Sequence, residues 1–177
     1  MLLKDNVDIE DILDFFASLI RVGVVVDVYP QRGSVRVEFK DQDNLVSHEL
    51  KVLHRKTHKD KDLWMVDVGE EVLCIFLPNA VEVGFVLGAI YSQQDKVPTD
   101  SQDKKFIKFE DGTVLEYDRK KHLMRCNIKG DCLITASSIR INAKSGISIN
   151  GDLDVDGNIH ATGTIIDEQG NTNHHSH

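Results

Sequence analysis

Residues 138–165 alternate in character with a period of two. The odd positions carry Ile139, Ile141, Ala143, Ile147, Ile149, Gly151, Leu153, Val155, Gly157, Ile159, Ala161, Gly163 and Ile165, broken only by Ser145. The even positions are polar throughout apart from Gly146. Side chains of an extended strand point alternately to opposite faces, so this pattern describes one long ribbon with a dry side and a wet side. Glycines interrupt it roughly every six residues, where bends are expected.

A one-sided ribbon cannot shelter its own apolar side, and an isolated strand or hairpin is marginal in water. No later segment of the sequence offers a cover. Two solutions remain open. Identical copies can wind about a common axis, which buries the dry side and removes exposed strand edges. Three copies would form a narrow intertwined prism. Alternatively, one chain can stack its own turns as a solenoid, though that architecture generally needs at least three similar coils of longer repeat.

Composition limits the rest. The chain has 177 residues and a formal net charge of −8, which argues against binding nucleic acid or anionic membrane through bulk charge. Three cysteines, Cys74, Cys126 and Cys132, give neither a disulfide framework nor zinc-ribbon spacing. No stretch reaches the roughly 18 apolar residues of a membrane-spanning helix. The start of the chain runs into Asp8, Glu10 and Asp11 rather than a basic region and an apolar block, so synthesis in the cytoplasm is expected.

The N-terminal segment 1–20 is predicted to hold one short amphipathic helix, over residues 8–20. Ile9, Ile12, Leu13, Phe16, Leu19 and Ile20 recur at spacings of three and four behind Asp8 as N-cap, and such a stripe is expected to pack on the following domain. Residues 21–92 change period. Val22, Val24, Val26 and Val28 alternate with their neighbours, a turn follows at Tyr29–Gly33, and Val35, Val37 and Phe39 alternate again. Further short apolar runs at 48–53, 63–66, 72–77 and 83–91 bring the count to five or six strands, a small barrel or sandwich. Residues 93–105 are polar, contain Pro98 and read as a linker. Phe106–Phe109 and Val114–Tyr117 flank Asp111-Gly112, a hairpin signal, and a further strand is expected over His122–Ile128.

Few residues suggest chemistry. Cys74 lies in the apolar run Val72–Phe76 and reads as a core thiol. His48, His54 and His58 sit among Lys51, Arg55, Lys56, Lys59 and Lys61, which read as an exposed loop rather than a nucleic-acid surface. Asp152, Asp154 and Asp156 have calcium-loop spacing without the glycine and glutamate such a loop requires, so they read as the hydrated face of the ribbon. The chain ends in His174-His175-Ser176-His177. His175 and His177 share the parity of the dry side. On a threefold axis they would offer six imidazole nitrogens, a set that suits an octahedral ion such as Fe(II) better than four-coordinate zinc. Six protein ligands would leave no open position for a reaction. A flexible tail or tag remainder is the alternative.

Taken in order, these pieces resemble a known family, the baseplate assembly protein V or central spike of contractile-tailed phages and tailocins. Arg21–Val25 with Ser34–Phe39 resembles its opening strands. Trp64, Val68–Leu73 and Gly84–Tyr91 resemble its OB-fold signature, Phe109–Tyr117 the start of its needle, and Gly151–Gly163 with His175-Ser176-His177 its tip. The resemblance implies an OB-fold domain over 21–92, a trimeric triple-stranded β-helix over 106–166, and an apex over 167–177 where His175 and His177 of three chains hold iron. It implies a homotrimer that contacts tail-tube and baseplate hub proteins, resides in the virion tail, and is driven through the host envelope without catalysis. Val66 stands where the family often has proline, and Asn79-Ala80 where it often has glycine. Residues 92–105 leave no room for the lysozyme domain of some relatives. Neither a nucleic-acid partner nor a small-molecule substrate is implied. The competing readings are an OB-fold protein binding single strands, which the acidic charge and the 6% aromatic content oppose, and a glycan-cleaving enzyme, whose paired carboxylates carry no sequence signature.

Overall fold

The computed structural model describes residues 8–166, apart from the side chain of Val81. The chain divides into two units, the first running to Asp131 and the second beginning at Cys132.

The first unit opens with α1 (Ile9–Leu19), and the Asp8 side chain accepts a hydrogen bond from the Glu10 N–H at 3.4 Å. α1 touches β1 and β5, yet none of its residues is buried, and Ile9, Leu13 and Phe16 lie mostly in solvent. The expected packing of its stripe on the barrel is therefore slight within one chain.

The barrel strands are β1 (Ile20–Tyr29), β2 (Ser34–Phe39), β3 (Leu45–Val46), β4 (Leu50–Val52), β5 (Glu71–Leu77) and β6 (Ala80–Ala89). Hydrogen-bonded neighbours run β1-β5-β6-β4-β2, and β2 pairs back onto β1, so five strands close a barrel with β3 attached to β2. All these pairs are antiparallel except β4 with β6. This closed five-stranded barrel is OB-like.

Its core follows the period-two rule. Val35, Val37 and Phe39 from β2, and Val72, Cys74 and Phe76 from β5, point inward and join Leu50 and Val86. β1 departs from the simple alternation. Val25 is its buried valine, and Val22, of the opposite parity, is 41% exposed; the register against β2 then shifts between Val25 and Asp27, and beyond the shift Val28 packs against the core. A bulge of this kind switches which residues face the core. Gly23 is required where β1 meets β2, since a Cβ there would sit 2.6 Å from the Glu38 carbonyl oxygen. Gly84 has the same role against the Ile75 carbonyl and the Phe76 ring. Arg21 closes one end of the core, its guanidinium lying 5.5 Å from the centre of Phe39 and 5.0 Å from that of Phe76.

A second sheet follows the polar connection. Strands β7 (Lys104–Lys108), β8 (Val114–Asp118) and β9 (Leu123–Asn127) form an antiparallel meander. Asp111 sets the β7–β8 turn by accepting from the Thr113 N–H at 2.7 Å, with Gly112 at φ +86°. Trp64 stacks on Phe109 with ring centres 5.4 Å apart.

The second unit is extended. Among the described residues it contains no β-ladder within the chain, and every residue from Cys132 to Ile166 is exposed. Its bends fall at Ser137, Lys144–Ser145, Gly151, Asp156–Gly157 and Thr162–Gly163. Gly146, Gly151 and Gly157 take positive φ, which glycine alone adopts without strain. A triple-stranded β-helix is not visible in a single chain.

Candidate functional site

The ribbon is the feature that a folded monomer cannot account for. Ile139, Ile141, Ile147 and Ile149 are each more than 60% exposed, as are Leu153, Ile159 and Ile165. A protein surface tolerates scattered apolar residues, but a continuous apolar stripe marks a surface meant to be covered. The backbone keeps Asp152, Asp154 and Asp156 at the intervening positions, all exposed, with nothing that gathers them into a metal cage.

The residues expected to bind metal, His175 and His177, lie outside the described residues, as does the whole apex over 167–177. Among the described residues no group of three or more histidine, cysteine or acidic side chains is placed to hold an ion. The chemistry of the donor set, two imidazoles per chain, remains the basis on which iron is considered.

The remaining sequence candidates are structural. Cys74 is fully buried, and burial pushes its thiol up to about 11, so it stays protonated and unreactive at neutral pH. His48 is 3.7 Å from Glu82, while His54 and His58 are not brought to it as a cluster. Two cations of the basic loop are paired within it, Arg55 with Asp62 at 2.6 Å and Lys56 with Asp60 at 2.8 Å. Two carboxylates of the β7–β9 sheet are buried. Lys104 pairs with Glu116 at 3.3 Å. Asp118 accepts the backbone N–H groups of Lys120 and Lys121. The bond from Lys121, reinforced by that from Lys120 and by the charges of Lys121 and Lys104, holds the Asp118 carboxyl below its usual range against the opposing effect of desolvation. Both carboxylates are engaged in holding the sheet together, which leaves neither poised as an acid or base.

The sequence reading passed over one feature of this sheet. The β7–β8 and β8–β9 registers place Ile107, Leu115, Tyr117, Met124 and Cys126 on one face and Lys104, Phe106, Glu116, Asp118 and Arg125 on the other. The signal lay in the strand parities, but it becomes legible only once the pairing register is known.

Comparison with known proteins agrees with the motifs. The chain is 25% identical over 173 residues to the spike protein of Escherichia phage P2, a match that covers 93% of this chain and 81% of that one. No protein-family model matches the chain. The similarity spans the barrel, the β7–β9 sheet and the ribbon alike, so the spike-like character is not confined to one domain.

Proposed function

We propose that the chain is the subunit of a trimeric tail spike, a non-catalytic needle at the baseplate of a contractile phage tail or tailocin, which penetrates the host envelope when the sheath contracts. The observation that carries this reading is the ribbon of 139–165, apolar on one side and uncovered along its whole length in a single chain. Burying an aliphatic side chain of this size stabilises by roughly 1.5–3 kcal/mol, so leaving the ribbon wet forgoes on the order of 10 kcal/mol per chain. Three copies wound about one axis recover that free energy and pair the backbone groups that one chain leaves without a ladder.

The mechanism is mechanical. A slim prism with a continuous dry seam resists bending because its side chains interlock, and its polar exterior, rich in Asn and Asp, stays hydrated in transit. The bends at Gly146, Gly151 and Gly157 let each chain turn around the axis at near-regular intervals. At the tip, His175 and His177 of three chains would hold an iron ion and tie the three ends into a point. The likeness to a phage spike protein supports placement in the virion tail next to baseplate components.

Light scattering on the native protein, with metal analysis of the same sample, tests the reading. A mass of three chains is expected, with one metal ion per three chains. A monomeric mass at micromolar concentration would overturn the needle. Replacing His175→Ala together with His177→Ala is expected to remove the metal and leave the three-chain mass unchanged; wild-type protein without stoichiometric metal would refute the apex site alone.

A further inference from the structure

The first unit carries an open cleft of about 490 Å³, and two aromatic rings stand in it. Trp64 is 59% and Tyr91 65% exposed. Aromatic side chains hold much of the apolar area that folding buries, so two left wet on one concave surface mark a place of contact. Phe109 lies against the Trp64 ring with 19° between the planes. A stacked neighbour covers one face only, so the indole is held in place while most of its surface stays in solvent.

Polar groups of both signs surround the rings. Glu70 and Asp95 supply carboxylates, Lys96 and Lys108 ammonium groups, and Gln94 an amide. The two acidic residues are fixed locally. Glu70 Oε2 accepts the Asp67 N–H at 2.9 Å. Asp95 sits on a turn whose carbonyl accepts the Ser92 N–H at 3.0 Å and whose N–H donates to Ser92 Oγ at 3.1 Å. Among the described residues, none of the four charged groups has an ion-pair partner. Carboxylates only accept hydrogen bonds and ammonium groups only donate them, so the cleft suits a ligand that does both.

We propose that this cleft binds a neutral oligosaccharide. A sugar ring presents a face of weakly positive C–H groups, which stacks on the electron-rich face of an indole or phenol ring. Its hydroxyls donate and accept, and so serve Glu70 and Asp95 together with Lys96 and Lys108. The two signs of charge balance in the cleft. That gives neither the basic field that draws a nucleic acid nor the acidic one that draws a cationic peptide. A proline-rich segment would cover the aromatic surface but brings few N–H groups, leaving the carboxylates without donors. The proposal does not depend on the ribbon or on the number of chains.

Trp64 is the one tryptophan of the chain, so its fluorescence reads the cleft directly. The native full chain would be titrated with chitohexaose, an oligomer of an N-acetylated amino sugar, and with maltohexaose, an oligomer of a plain hexose, which tells the two sugar chemistries apart. A saturable change with at least one of them is expected. Tyr91→Ala should weaken it about tenfold or more, whereas Glu82→Ala, outside the cleft lining, should leave it unchanged. No saturable change with either sugar would overturn the proposal, as would a response confined to an oligothymidylate or to decaproline. Binding that both Tyr91→Ala and Asp95→Ala leave unchanged would put the sugar elsewhere and overturn the cleft. Should Tyr91→Ala not fold, Asp95→Ala alone decides. None of these results bears on the three-chain mass, so the needle stands or falls separately.

Discussion

The barrel and the ribbon are written in the same code and come to opposite ends. In both, side chains alternate between two faces with period two. In the barrel, β2 and β5 turn their apolar sides toward each other across a closed ring, and Val35, Val37, Val72 and Cys74 disappear from solvent. In the ribbon the same alternation is laid along a single strand with no partner in the chain, and Ile139 to Ile165 remain wet. Local pattern decides which side of a strand is dry. Whether that side is covered from within depends on whether the chain returns to face itself.

That contrast makes a polar residue act differently in the two places. Ile149→Asp should leave the barrel folded and abolish the three-chain mass, because three carboxylates would be forced into one dry seam. Light scattering alongside near-ultraviolet circular dichroism separates the two effects. If the mass stays at three chains, the ribbon is not the seam.

Within the barrel, Phe39→Ala should cost about 3–5 kcal/mol of stability in urea unfolding, the usual loss for emptying a buried aromatic site. Phe39 packs edge-on to Phe76 at 5.7 Å, so that ring would lose its neighbour as well. The three-chain mass should survive under native conditions. If Phe39→Ala instead dissociates the particle without unfolding the barrel, the two regions are not as separate as their burial suggests.

The smallest effect concerns pH. The Cys74 thiol is raised from 9.0 to about 11 in the folded protein. Folding therefore favours the protonated form, and the stability tied to it is complete below pH 9 and is lost as pH rises toward 11. Barrel stability should fall across that window, and Cys74→Val should flatten the fall. An unchanged slope in the variant would assign the alkaline loss to other groups.

Much of the architecture was legible in the residues. The spacing of Ile9, Ile12, Leu13 and Phe16 marked α1 to within a residue, and Asp111-Gly112 marked the β7–β8 turn. The alternation of Val35, Val37 and Phe39 marked the core side of β2, and the apolar run Val72–Phe76 marked β5 with Cys74 as a core thiol. What escaped was register. The bulge between Val25 and Asp27 changes which parity of β1 faces the core, so that Val28 packs there after Val25, and no local pattern announces it. The division of the β7–β9 sheet into two faces was hidden for the same reason. Tyr117 and Met124 share a face only because β8 and β9 pair as they do. His175 and His177, singled out for the tip, lie outside the described residues.

The order of residues alone determined that the C-terminal part of this protein has one dry side and needs a cover, because side-chain alternation in an extended strand is a property of the backbone itself. Only the tertiary structure decided that the barrel supplies its own cover while the ribbon goes without in a single chain. That outcome depends on which strands, far apart in the chain, hydrogen-bond to one another, and such pairing is a choice among distant partners that no single segment encodes.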